Sequence, residues 1–267
     1  MEIAVIIPAA GSSRRYQEGQ ALASPRSKLD EDLGGRPVLH RTVELFTKHD
    51  SVAHVIVAGP ADDTAFEQFK TRHADKLGLF GVKICKGGIT HRYESVRNAL
   101  ALVPDSATHI AVHDAARPCA SLELIDRVFD GAAAGHTAVV PGVPVADTLK
   151  RVGEEVAAKA DDPVAAILGA DTSAAKAHVV TETVSREGLM SIQTPQMFEA
   201  ELFRRAYAQK NLESTDDAQL VERLGETVVV VQGESSNIKI TRAADLAIAR
   251  AVLGVRPPAE RDVMKRF

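Results

Sequence analysis

The fold turns on one stretch, Ile3-Ala4-Val5-Ile6-Ile7-Pro8-Ala9-Ala10-Gly11-Ser12-Ser13-Arg14-Arg15. Five apolar residues in a row read as a strand buried inside a parallel sheet. The loop that follows leaves the carboxyl end of that strand, at the rim where open α/β sheets bind ligands. Its small residues let backbone N–H groups approach phosphate oxygens closely. Arg14, Arg15, Arg26 and Lys28 can neutralise the charge of several phosphates. No Gly-Lys-Ser/Thr completes a Walker loop, and the dinucleotide fingerprint Gly-x-Gly-x-x-Gly is missing. The stretch points to a nucleoside triphosphate; a plain small-residue turn with solvated arginines is the alternative.

Outward from this stretch, short apolar runs alternate with segments of helical period. Strands are expected at 53–58, 82–86, 109–113 and 138–143, and helices at 37–48, 61–75, 92–102 and 122–134. Such alternation implies right-handed βα crossovers and a mostly parallel sheet. From Val145 the pattern changes: Asp147-Thr148-Leu149-Lys150 leads into a polar, alanine-rich stretch, and His178-Val179-Val180-Thr181-Glu182-Thr183-Val184 follows it. Two β-like arms around residues that bury little predict a protruding hairpin whose insert, 153–177, is a flexible loop. After Gln193 the α/β pattern resumes, with helices near 199–209, 217–224 and 243–253 and a strand at 227–231. The organisation expected is a domain over 1–254 that carries an arm at 145–186, and a loose tail at 255–267.

Composition narrows the partners. The chain has 267 residues, 45% of them hydrophobic, enough for one large core. A net charge of −4 argues against a general nucleic-acid or membrane surface, so affinity for phosphate must come from local clusters and the substrates are small. Cys85 and Cys119 form neither a metal-ligand spacing nor a disulfide framework, which suits a reducing compartment. The chain opens on a strand rather than a signal segment, and no apolar run is long enough to span a bilayer. A cytoplasmic protein is expected.

A second constellation is Val112-His113-Asp114-Ala115-Ala116-Arg117-Pro118. It sets an acid at the end of an apolar strand, facing the same rim as Gly11. Asp114 admits two readings there, a ligand for Mg²⁺ beside a triphosphate or a cap for the next helix. Gly87, Gly88, Arg92 and Ser95 form another strand-to-helix turn that could contact a base or ribose; a simple turn with a solvated Arg92 is the alternative. Thr215-Asp216-Asp217-Ala218 reads as a helix N-cap that is also able to face an anion. Lys239, in Asn237-Ile238-Lys239-Ile240-Thr241, can reach back toward phosphates or stand in solvent.

In this order, with Thr194-Pro195-Gln196 between them, these motifs resemble the 2-C-methyl-D-erythritol 4-phosphate cytidylyltransferase family over about residues 3–253. Ribitol 5-phosphate cytidylyltransferase is a close relative. The resemblance implies a three-layer, Rossmann-like nucleotidyltransferase fold of class α/β, with a mostly parallel sheet and a β-arm. It also implies a homodimer formed through that arm, Mg²⁺ as cofactor, and CTP and a sugar-alcohol phosphate as substrates. Carried onto this chain, Arg15, Lys28 and Lys239 would be catalytic, binding the triphosphate and stabilising charge at the α-phosphate. Ala9, Ala10, Gly11, Gly88 and Ser95 would bind the nucleotide. Asp114, Arg117, Arg186, Thr194 and Thr215 would serve the sugar phosphate, with Asp114 also on the metal and Arg186 supplied by the neighbouring subunit.

The chain departs from the family pattern in four places. Ser13 stands where a second loop glycine is usual, which narrows backbone freedom. Ser27-Lys28-Leu29 replaces Pro-Lys-Gln, and Arg26 competes with Lys28 as the functional cation. The 87–95 turn is one residue longer and carries Ile89, and the arm holds an alanine-rich insertion. These departures motivate a rival reading, a nucleotide-binding regulatory module with a degenerate site.

Overall fold

The computed structural model describes residues 1–18, 27–156 and 177–257. Arg26, most of the expected 153–177 insert and all but the first residues of the expected tail lie outside them. Chain contacts divide the protein into a core unit, Met1–Val143 with Ile192–Phe267, and an arm unit, Pro144–Ser191. The arm's bounds are thus slightly wider than the 145–186 expected.

In the core unit the elements are β1 (Ile3–Pro8), α1 (Arg14–Gln17), a 3-10 turn (Lys28–Asp30), α2 (Val38–Thr47), β2 (Val52–Gly59) and α3 (Asp63–Leu79). Next come β3 (Lys83–Lys86), α4 (Arg92–Leu100), β4 (His109–Val112), α5 (Leu122–Ala133) and β5 (Ala138–Pro144). The arm unit supplies β6 (Leu149–Val156) and β7 (Ala177–Val184). After β7 come β8 (Met190–Ile192), β9 (Gln196–Glu199), α6 (Ala200–Tyr207), α7 (Ala218–Glu222), β10 (Val229–Gln232) and α8 (Ala243–Val252). Among the described residues no helix is long and apolar enough to cross a membrane.

The sheet runs β10-β5-β9-β4-β1-β2-β3, with β1 in its interior, parallel to both β2 and β4. Because successive side chains of a strand point to opposite faces, β1 feeds two layers. Ile3, Val5 and Ile7 pack with Leu39, Phe46, Phe69, Ile125 and Leu246. Ala4 and Ile6 pack with Val96, Leu100, Phe203, Tyr207 and Leu220. The result is a three-layer α/β/α core, and it explains the unbroken apolar run at the chain's start. Helices α3 and α5 begin on ordinary caps, the Asp62 carboxylate accepting from the Ala65 amide at 2.9 Å and the Ser121 hydroxyl from Leu124 at 2.9 Å.

One strand departs from the βα reading. Having left the core at β5, the chain returns as β9, which pairs antiparallel with both β4 and β5 and lies between them. Four residues behind a proline are too few to show alternation, so the sequence pattern does not reveal this strand. Its register sets Gln196 opposite Val112, which brings Thr194 to the Asp114 turn.

The arm unit is a two-stranded antiparallel ribbon in which Leu149 pairs Val184 and Val152 pairs Val180. Nearly every residue of both strands is exposed.

Phe203 is fully buried, so Phe203→Ala should lower the unfolding free energy by about 3–5 kcal/mol. Ile248, 52% exposed, should tolerate alanine within about 0.5 kcal/mol. Urea denaturation of the two variants measures the difference.

Candidate active site

The parallel strands β1, β3 and β4 end on one edge of the sheet, and a cavity of about 430 Å³ opens there. Pro8 to Ser12, with Arg14 and Arg15, form one wall. The turn from Gly88 to Arg92, with Ser95, forms another; Lys28, Asp114 and Lys239 complete it.

Each wall is held by backbone. The Ala9 amide donates to the Ala58 carbonyl at 2.7 Å, continuing β1 into its loop. Gly87 donates to the Gly59 carbonyl at 2.8 Å, so the turn after β3 presses on the loop after β1. A Cβ at Gly87 would lie 2.6 Å from that carbonyl and 2.7 Å from Ala10 Cβ, so only glycine lets the walls meet. Ser95, buried, accepts the Gly88 amide at 2.9 Å. The Glu94 carboxylate accepts the Thr90 and His91 amides at 2.9 and 3.1 Å, ordering the extra-long turn.

Asp114 lies at the floor, 8% exposed. Its Oδ1 accepts from Arg92 Nε at 3.2 Å; Oδ2 meets Lys239 Nζ at 2.8 Å and Arg117 Nε at 3.4 Å. Burial alone would raise its pKa, but Arg92, Lys239 and Arg117 together hold the carboxyl well below the usual range. Arg92 also donates to Asp217 Oδ2 at 2.6 Å, and Tyr207 donates its hydroxyl to Asp217 Oδ1 at 2.5 Å. Arg117 donates to the Asn237 carbonyl at 2.6 Å, fixing the segment that carries Lys239.

Lys28 donates from Nζ to the Ile240 carbonyl at 2.6 Å. Burial, then the nearby charges of Lys239 and Arg15, push its pKa down to about 8 although Asp114 opposes them. The site therefore concentrates positive charge in a chain whose net charge is negative, and it offers that charge to an anion entering over the Gly11 loop.

The family model of 2-C-methyl-D-erythritol 4-phosphate cytidylyltransferase matches residues 3–172 and 155–255 in two overlapping segments. A protein of that name from Frankia casuarinae is 37% identical over 97% of this chain and 84% of its own length. One from Rhodococcus jostii is 38% identical over 94% of this chain and 95% of its own. The crystal structure of the Thermus thermophilus enzyme superposes with a TM-score of 0.68 at 33% identity, covering 96% of this chain and all of that one. This chain belongs to the 2-C-methyl-D-erythritol 4-phosphate cytidylyltransferase family.

Against the family's pattern, the structure brings Ala9, Ala10, Gly11, Arg15, Lys28, Gly88, Ser95, Asp114 and Lys239 to one cavity. Four expected substrate residues are placed otherwise. Arg117, outside the cavity's lining, braces Asp114 and the Asn237 carbonyl. Thr194 is buried behind Asp114, its hydroxyl 3.1 Å from His113 Nδ1 and accepting the Asp114 amide at 3.1 Å. Thr215 is exposed and bonded to Gln219, away from the cavity's lining. Arg186 belongs to the arm unit, where it donates to the Ala146 carbonyl.

One reading is corrected: Arg92 is no solvated first-turn residue, since it bridges Asp114 and Asp217. Both oxygens of Asp114 face cations. Among the described residues no group of three His, Cys, Asp or Glu side chains could hold a metal. The long-range partners of Asp217, Tyr207 and Asn237 escaped the sequence reading because a cap, an aromatic and an amide carry no local mark of them.

Asp114→Asn would leave three cations facing an amide. It should cost on the order of 3 kcal/mol of stability, the scale for removing one partner of a buried ion pair. Urea unfolding near neutral pH checks this; an unchanged midpoint would reduce the cluster to a surface network.

Proposed function

We propose that this chain transfers CMP from CTP to 2-C-methyl-D-erythritol 4-phosphate, releasing pyrophosphate and forming 4-diphosphocytidyl-2-C-methyl-D-erythritol. The observation that carries this reading is the convergence of Arg15, Lys28 and Lys239 on one cavity with the loop after β1 and the Gly88 turn. In the reaction an acceptor phosphate oxygen forms a bond to the α-phosphorus in line with the pyrophosphate oxygen, which leaves with the electron pair. Such a displacement needs positioning and charge stabilisation rather than a protein nucleophile.

Arg15 and Lys28 bind the triphosphate in this reading, and Lys239 adds a third cation near the α-phosphate. Asp114 holds Lys239 and Arg92 in place. Ala9, Ala10, Gly88 and Ser95 cradle the cytidine, and Arg117 and Thr194 fix the turn on which Asp114 stands. We infer that Mg²⁺ enters on the phosphate oxygens of CTP with its waters, the usual habit of this ion. Cys85 and Cys119 are free thiols, in keeping with a cytoplasmic setting.

The arm reads as a dimerisation element. Val152, Val156, Val179 and Val180 are each about half exposed, and a lone two-stranded ribbon is marginal in water. A second copy of the chain is the partner proposed, with Arg186 serving the acceptor phosphate in the neighbouring site.

Purified protein with CTP and Mg²⁺ should release pyrophosphate with methylerythritol phosphate and far less with ribitol 5-phosphate. The opposite preference would move the assignment to the relative, and CTP binding without turnover would favour a regulatory module. Lys28→Ala should lower kcat/KM by about two to three orders of magnitude. Because Lys28 loses its proton as pH rises through about 8, kcat/KM for CTP in the wild type should fall above that pH. Lys28→Arg, charged throughout, should remove that limb.

Mixing Arg186→Ala protein with Lys28→Ala protein tests the arm. If arms are shared, each mixed dimer holds one intact site and one doubly damaged site, so activity returns after subunit exchange. No recovery under demonstrated exchange would assign the arm to its own chain.

A further inference from the structure

Lys28 sits in a 3-10 turn of three residues, too short to fix itself. The turn is gripped through Asp30. His73 Nε2 lies 2.8 Å from Asp30 Oδ1, and His73 Nδ1 lies 3.0 Å from His40 Nε2. Arg72 Nε stands 3.3 Å from Asp30 Oδ2. His73 belongs to α3 and His40 to α2, and at 2% and 4% exposure both are buried in the layer that packs on β1. Neither lines the cavity, and the reaction as described uses neither.

A buried polar chain is costly unless every member finds a partner, and an apolar pair would fill the same space without that demand. What an apolar pair cannot do is hold a carboxylate. The Asp30 carboxylate accepts, so His73 Nε2 carries the hydrogen of that contact, and a second hydrogen is shared between His73 Nδ1 and His40 Nε2. Burial and the neighbouring His73 and Lys76 push the His40 pKa down to about 4, which keeps that ring neutral at neutral pH. Helix α2 is fastened in turn to the acidic loop, Thr42 donating to the Ala115 carbonyl at 2.9 Å. One helix thus references both the Lys28 turn and the Asp114 turn.

The geometry points to His73 as a positioning residue for Lys28, acting through the Asp30 carboxylate with His40 as its backing. This inference rests on reading Lys28 as a triphosphate ligand.

The test measures CTP affinity by equilibrium titration and pyrophosphate release with each substrate varied. His73→Leu and Asp30→Ala should each lower kcat/KM for CTP by roughly 10- to 100-fold, the scale of a misplacement near 1 Å. They should weaken CTP binding and leave the acceptor KM unchanged. His73→Gln, whose amide can still donate to Asp30, should restore most of the loss. In a Lys28→Ala background neither substitution should cost anything further, because the group they position is gone. An undiminished loss in that background, or a loss shared equally by both substrates, overturns the assignment. Asp30 is one-fifth exposed, so Asp30→Ala carries the test where His73→Leu fails to fold. Wild-type protein that binds CTP but does not turn over the acceptor would defeat the functional reading, while the CTP titration would still judge the histidine relay.

Discussion

The site depends on one buried carboxylate. Asp114 stands where Arg92 from the start of α4, Arg117 from the loop after β4 and Lys239 from the segment before α8 converge. Without an anion among them these three cations would repel one another in a poorly hydrated place. With it they are drawn together from segments distant in sequence. Asp217 extends the arrangement by balancing Arg92 from the other side and receiving the Tyr207 hydroxyl. The cluster is built before substrate arrives, which is the condition for charged groups to stabilise a transition state without reorganising.

Lys28 lies at the opposite extreme of this balance. Asp114 is oversupplied with cations, whereas Lys28 is half-buried near Lys239 and Arg15, with a carbonyl at Ile240 as its hydrogen-bond partner. Its depressed pKa, about 8, expresses the cost of keeping a proton there. A triphosphate entering the cavity reverses the sign of that environment, so the repulsion among cations in the free protein becomes attraction to the ligand. Binding and the protonation of Lys28 are therefore linked.

Much of this was legible in the sequence, for a physical reason. The run Ile3–Ile7 had to be buried on both faces, a parallel strand so buried ends on a ligand-binding rim, and the loop's small and basic residues belong at that rim. For Asp114, Lys239 and the Gly88 turn, position alone left a cap, a solvated lysine and a plain turn open, and the resemblance to the family assigned them to the site. The sequence could not show β9, whose four residues return antiparallel and set Thr194 against the Asp114 amide. Nor could it show the partners of Arg92, because a first-turn arginine reads the same whether it meets water or two buried carboxylates. The relay through His40, His73 and Asp30 was hidden for the same reason: its members lie on three elements, and only packing joins them.

The departures from the family pattern look different once they are seen in space. Ser13 occupies the left-handed region, at φ 57°, where glycine would be unstrained. Its hydroxyl, however, accepts the Lys28 amide at 3.2 Å and lies 3.5 Å from the Ser27 hydroxyl, while Ser27 accepts the Leu29 amide at 3.3 Å. Ser13 and the Ser27-Lys28-Leu29 run are thus two halves of one contact, and Leu29, packed into the core, also lines the cavity. A degenerate site would be expected to lose the contacts that hold its principal cation. Here the unusual residues tie the Lys28 turn to the glycine loop from one side while Asp30 and His73 secure it from the other, an arrangement that favours a working enzyme with its own way of fixing the same lysine.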